Sequence, residues 1–385
     1  MELDEFRTGL DAWLDDHSAE LAPDHSADPP GSSALDREMA QLSKVKRLAF
    51  DAGWMRYGWP ERVGGLGGST LCRAYLGEAL AGRGLVEAGI YSMTEVLAPT
   101  MIDHARPELA ATMVPRLLRG DETWCQGFSE PDTGSNLGAL ACRATPTEGG
   151  WRVNGQKVWT SLAQYAQRCV LLVRTGSAED AHRGITALFI DMVDDEGHPV
   201  PGLTIRPIET MHGKLEFCEV FFDDVEVPAE RTLGTPGSGW GVAMDLLPFE
   251  RSTALWHRGA FLHARLDQIL SAADATLRPR DVGVAYLQLF SLRSRSRGTQ
   301  YRLAGGEHLG AETSIDKILL ATTEQTVFDL AASALTSAVV TGDGEWDERW
   351  RSEFLYSRAS TIYGGSAEIQ RNIVARRLLD LGADR

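Results

Sequence analysis

Apolar residues recur at steps of three and four through Leu35, Met39, Leu42, Val45 and Leu48, which places them on one face of a helix. The Gly/Pro cluster from Gly58 to Gly68 breaks that helix, and helical spacing resumes over residues 71–85 and again over 94–118. Near Asp121 the texture changes. Residues 151–159 predict a hairpin, with Asn154-Gly155 able to take the positive φ of a tight turn. Residues 169–173, 185–191 and 217–222 are rich in β-branched and aromatic side chains, with Pro/Gly/Asp loops between them. Short strands at that density predict a small barrel or sandwich. From Trp240 onward the spacing is helical again, with helix–helix connections predicted at 276–279, 305–310 and 342–345. The order is α, β, α: an α+β multidomain chain with an all-α domain over 1–121, a middle β domain over 122–235 and a helical bundle over 236–385.

Composition narrows the functions open to such a chain. Its 385 residues can build more than one real core. A net charge of −16 argues against nucleic acid as a partner, although local arginines and backbone N–H groups can still bind a small anion. No apolar run approaches the roughly 18–20 residues that span a bilayer. The opening segment MELDEFRTGLDAWLDD is acidic and amphipathic, unlike a secretory signal, so a cytoplasmic protein without membrane contact is expected. Cys72, Cys125, Cys142, Cys169 and Cys218 are odd in number and lack a CxxC spacing, which fits buried reduced thiols rather than disulfides or a metal site.

Three segments carry candidate chemistry. In Gln126-Gly-Phe128-Ser129-Glu-Pro-Asp-Thr-Gly134-Ser135-Asn136, one Pro, two Gly and several hydroxyls leave backbone N–H groups free for an extended polar ligand. Lys157-Val-Trp159-Thr160-Ser161 sets a large aromatic plane beside two hydroxyls, as an isoalloxazine ring requires. In Tyr363-Gly364-Gly365-Ser366-Ala-Glu368, a Gly pair opens an amphipathic helix, with Ile369, Ile373, Val374 and Leu378 on its apolar side.

With FCEVFFDDVEVPAERTLG and GWGVAM between them, these segments resemble the acyl-CoA dehydrogenase family, in its order and over nearly the whole chain. The resemblance implies a helical N-terminal domain, a middle β-barrel and a C-terminal four-helix bundle. It implies FAD, an acyl-CoA substrate, an electron-transfer flavoprotein as acceptor, and a homodimer, homotetramer or heterotetramer with a sister chain. Gln126, Phe128, Ser129, Gly134, Ser135, Trp159, Thr160, Ser161, Ser366 and Glu368 match positions that hold the flavin. Ser135, Arg251 and Tyr363 match positions near the thioester, and the backbone N–H of Gly364 matches a donor to its carbonyl oxygen.

The chain departs from the family pattern twice. Many members carry a catalytic Glu where this sequence has Gly364. A subset takes its base from a Glu-Arg pair after GWxVAM, and here Pro248-Phe249-Glu250-Arg251 stands there. The resemblance therefore implies Glu250 as the base for α,β-dehydrogenation to a trans-2-enoyl thioester. The second departure is a missing Arg-x-x-Phe-Gly segment after the first bundle helix; Arg293, Arg295 and Arg297 lie on the next helix and read as an exposed basic face. Two alternatives stay open: a partner subunit that completes another chain's site, and an oxidase- or monooxygenase-like flavoenzyme on the same fold.

Overall fold

A computed structural model describes all residues except 25, 27, 30, 178, 273–276, 336–338 and 383–385. Helices α1 (Leu3–Asp16), α2 (Ser18–Leu21), α3 (Ala34–Asp51), α4 (Thr70–Gly82), α5 (Ala88–His104) and α6 (Pro107–Arg119) form the N-terminal part. Helix α3 starts where the sequence dictates: Ser33 and Asp36 form a reciprocal capping box. Its predicted face is the buried one, with Leu35, Met39, Leu42 and Val45 inside.

Eight strands follow in one connected sheet: β1 (Trp124–Gly127), β2 (Arg143–Pro146), β3 (Gly150–Ser161), β4 (Arg168–Arg174), β5 (Ile185–Asp191), β6 (Leu203–Ile208), β7 (Phe217–Pro228) and β8 (Thr232–Leu233). The order is β6-β7-β3-β2-β4-β5-β8, with β1 pairing parallel to β4. Strands β4 and β5 are buried on both faces, which explains their unbroken apolar runs. Val170, Leu172, Ala187 and Phe189 join the core of the N-terminal helices. Leu171, Val173, Leu188 and Ile190 fill a second core with β7.

The predicted hairpin turn at Asn154-Gly155 is not there. Strand β3 runs straight through it, and the pair marks a register shift against β7. The left-handed backbone of Gly155 (φ +138°) serves a bulge instead of a turn, and a Cβ would press on Cys142. The reversal lies just before β3, closed by the Thr147 N–H to Gly150 O bond at 2.9 Å.

Helix α7 (Gly239–Glu250) then leads into α8 (Thr253–Ala272), α9 (Pro279–Ala304), α10 (Thr313–Ala334), α11 (Glu345–Ser357) and α12 (Ala367–Ile373). Helices α8 to α11 share a third core around Leu262, Leu289, Phe328 and Trp350. The connections predicted at 305–310 and 342–345 are present; Thr276 lies outside the described residues. At the C-terminus, Ala367 and Gln370 are the buried residues of α12, and Leu378, expected on an apolar side, is 40 % exposed.

Val242, Ala243 and Leu246 of α7 pack into the first core, so α7 couples the sheet and N-terminal helices to the bundle. Its first residue fixes its seat. A Cβ on Gly239 would stand 2.4 Å from the carbonyl carbon of Thr186 and 2.6 Å from the nitrogen of Ala187, both in β5 backbone. That backbone cannot yield, so Gly239→Ala is expected to cost about 1–3 kcal/mol, read from the midpoint of denaturant unfolding.

Candidate active site

Pro248 lies inside α7 and cannot donate to the turn before it. Two residues later the helix ends. Arg251 and Ser252 form a turn, with Arg251 N–H on Leu247 O at 3.1 Å and Ser252 N–H on Phe249 O at 3.2 Å, before α8 begins. Glu250 therefore sits at a helix end, half-buried, facing the turn that precedes α12.

The carboxylate meets Gly364 there. Gly364 is left-handed (φ +64°), and a Cβ at that position would lie 3.1 Å from Glu250 Oε1 and 3.2 Å from Lys317 Cε. A side chain at 364 would thus project toward the place that the Glu250 carboxylate occupies. Arg251 is not spent on Glu250; its Nε donates to Gly364 O at 3.2 Å, which Gln370 Nε2 also reaches at 3.1 Å. No backbone carbonyl among the described residues accepts the Gly364 N–H. Burial lowers the pKa of Arg251, opposed by the Glu250 charge. Burial, and then Glu324, holds the Tyr363 phenol well above its ordinary range.

A second group gathers on the sheet. The loop after β1 is tied to β3 by Val158 N–H on Ser129 O at 3.0 Å. Lys157, fully buried, donates to Phe128 O at 3.1 Å and to Glu130 Oε1 at 2.7 Å. The Glu130 carboxylate also accepts Ala141 N–H at 2.6 Å and Cys142 N–H at 2.9 Å. Sequence reasoning passed over this pair, although a lysine inside a strand calls for a buried partner.

Phe128 is buried, Gln126, Ser129 and Ser161 are half-buried, and Gly134 and Ser135 are exposed. Trp159 is 56 % exposed and left-handed (φ +61°), an unfavourable backbone for an aromatic residue, and its ring meets Phe217 edge-on at 6.1 Å. The hydroxyl of Thr160, the next residue, and the side-chain oxygens of Gln126 and Thr133 are buried without a hydrogen-bond partner. An exposed aromatic plane next to a buried unpartnered hydroxyl is compatible with a planar, polar cofactor such as a flavin. If Trp159 stacks on the cofactor, Trp159→Ala should weaken FAD binding roughly fivefold, from the one or so kcal/mol of an aromatic contact, measured by flavin fluorescence on titrating the apoprotein.

Ser366 and Glu368 make local contacts: the Ser366 hydroxyl accepts Ile369 N–H at 3.4 Å as the cap of α12, and exposed Glu368 lies 3.8 Å from Arg371. Arg293 and Arg295 do not form the free basic face expected of them. Arg293 pairs with Glu78, and Arg295 pairs with Asp316 at 2.6 Å. All five cysteines are free and buried, as expected. Among the described residues no helix is long and apolar enough to cross a membrane, and no His/Cys/Asp/Glu group could hold a metal ion.

Comparison with known proteins gives the same frame. Residues 3–121 match the N-terminal, 125–225 the middle and 237–379 the C-terminal domain of the acyl-CoA dehydrogenases. The chain is 36 % identical to acyl-CoA dehydrogenase IpdE1 of Mycobacterium tuberculosis, over 99 % of this chain and 98 % of that protein. It is 33 % identical to acyl-CoA dehydrogenase FadE34 of the same organism, over 91 % of this chain and 48 % of that one. Among solved structures, the Tcur3481-Tcur3483 steroid ACAD superposes with a TM-score of 0.79 at 22 % identity, covering 99 % of this chain and 96 % of that chain. The glutaryl-coenzyme A dehydrogenase complex with glutaryl-CoA gives 0.78 at 20 % identity, covering 98 % and 94 %. The fold, the matched domains and the full-length similarity lead to one conclusion: this chain belongs to the acyl-CoA dehydrogenase family, the FAD-dependent oxidoreductases of acyl-CoA metabolism.

Proposed function

We propose that the chain converts an acyl-CoA to its trans-2-enoyl thioester, with Glu250 as the base that takes the α-proton. The observation that carries this is the 3.1 Å between Glu250 Oε1 and the place of a Cβ on Gly364. An empty side-chain position and a carboxylate from another helix meet at one point. The α-proton is acidified when the thioester oxygen is hydrogen-bonded, and the Gly364 N–H is the donor for it. Arg251, bonded to Gly364 O, holds the following Gly364–Gly365 peptide and so restrains the backbone on which that N–H sits. Tyr363 and Ser135 complete the proposed substrate contacts.

Gln126, Phe128, Ser129, Gly134, Ser135, Trp159, Thr160 and Ser161 would hold FAD, with Ser366 and Glu368 reaching it from the C-terminal segment. When bound there, FAD supplies the acceptor for the hydride that leaves Cβ. The proposed electron acceptor is an electron-transfer flavoprotein, and the proposed assembly is a homodimer, a homotetramer or a heterotetramer with a sister chain.

The test is to mix flavin-loaded protein anaerobically with a panel of acyl-CoAs. The flavin should bleach, an enoyl thioester should form, and added electron-transfer flavoprotein should restore the colour. Turnover that runs on oxygen alone, with no enoyl product, would replace this reading by an oxidase. A protein that takes up no flavin until a sister chain is added would replace it by a partner subunit.

A further inference from the structure

The cation that completes the surroundings of Glu250 comes from α10. Lys317 is 3 % exposed. Its Nζ donates to Ser360 O at 2.6 Å and stands 3.9 Å from the centroid of the Tyr363 ring. Its Cε approaches the same would-be Cβ of Gly364 that the Glu250 carboxylate approaches. One side chain therefore touches the start of the turn at Ser360, the ring at Tyr363 and the space beside Gly364.

Burying an ammonium is unfavourable unless its charge is used. No carboxylate of the described residues lies in ion-pair contact with Lys317. Burial pulls it down to about 8, opposed first by Glu324 and then by Glu250, with Arg251 and Arg258 pulling it down further. The charged groups around the pair are thus Glu250 and Arg251 at the end of α7, Arg258 on α8, Glu324 on α10 itself and the Tyr363 phenol on the turn. Glu324 is already held by Arg258 at 2.7 Å, and Arg251 is bonded to Gly364 O. Glu250 is in no ion pair among the described residues, and Lys317 and Arg251 are the cations that act on it.

Resting on the reading of Glu250 as the base, we propose that Lys317 is a positioning residue for the dehydrogenation: it anchors at Ser360 the segment that leads to the Gly364 N–H, and it sets a positive charge near the Glu250 carboxylate on the acid side of the profile. The two roles separate by substitution. Lys317→Arg keeps the charge, whereas Lys317→Met keeps the apolar stem and removes both the donor and the charge.

The experiment measures the anaerobic flavin-bleaching rate with one acyl-CoA from pH 5.5 to 9 in wild type, Lys317→Met and Lys317→Arg, at matched FAD content. In Lys317→Met the acid limb of the rate profile should move to higher pH, because a nearby opposite charge favours an ionised carboxylate. Lys317→Arg should return the limb toward its wild-type position. A lower rate in Lys317→Met with the acid limb unmoved would show a structural anchor only and overturn the proposal. If Lys317→Met does not fold, Lys317→Arg and Lys317→Gln carry the comparison, and an acid limb common to both overturns the proposal equally. The base assignment is judged separately: a Glu250→Gln variant that still bleaches at the wild-type rate removes that reading, while a silent Glu250→Gln with an unmoved Lys317 profile removes only this one.

Discussion

Glu250→Gln should keep its FAD and its fold and bleach about 10²- to 10⁴-fold more slowly with acyl-CoA than wild type. That range is the ordinary contribution of a positioned general base. The substitution preserves volume and hydrogen-bonding shape, so Arg251 and Gln370 should keep their hold on Gly364 O. What is lost is the capacity to accept a proton at a point beside Gly364. Acyl-CoA affinity should change little, because the Gly364 N–H is backbone, and a fall in rate at saturating substrate is therefore the signature. Gly364→Ala should damage the same place from the other side. Its Cβ would require a left-handed backbone at a non-glycine residue and would stand 3.1 Å from Glu250 Oε1, so the carboxylate would have to give by a few tenths of an ångström. Both variants should therefore lose rate while retaining flavin.

The second large effect is expected at Lys157. Removing one member of a buried ion pair costs about 3–5 kcal/mol, because the remaining charge stays desolvated. Glu130 keeps two backbone N–H donors when Lys157 goes, which places Lys157→Met at the low end of that range. The same change frees Phe128 O and loosens the loop from Phe128 to Thr133 from β3. Stability by denaturant titration and retained FAD should fall together. Adding Glu130→Gln to Lys157→Met removes the stranded charge but leaves one of the Ala141 and Cys142 N–H groups without an acceptor, so the double variant should lose less than the sum of the two single losses. Additive losses in that cycle would show that the pair is not coupled.

Much of the fold was legible because it depends on local period. The α3 face and the apolar runs of β4 and β5 follow from 3.6-residue and continuous patterning, and the structure buries them accordingly. Asn154-Gly155 misled because a positive-φ glycine serves a bulge as well as a turn, and only the pairing with β7 decides between them. The basic face of α9 misled for a related reason. Arg293 and Arg295 meet carboxylates supplied by α4 and α10, and spacing along one helix does not reveal those partners.

The site divides in the same way. The motif around Gln126–Ser135 and the Trp159-Thr160-Ser161 run only suggest a cofactor surface by residue type, and it is their combination that carries the family resemblance. Glu250 was legible only through family resemblance, and its meeting with Gly364 is a product of tertiary packing between two distant segments. Lys317 lies in no motif, and Lys157 opens the Trp159-Thr160-Ser161 run without any sign there of its buried partner Glu130.

Solvent-hydrogen exchange at Cα tests the central claim most directly. Flavin-loaded wild type and Glu250→Gln are each incubated anaerobically with acyl-CoA in heavy water, and recovered thioester is analysed for deuterium at the α-carbon. Wild type should incorporate deuterium, and Glu250→Gln with equal flavin content should not. Incorporation by Glu250→Gln at the wild-type rate would show that another group takes the α-proton.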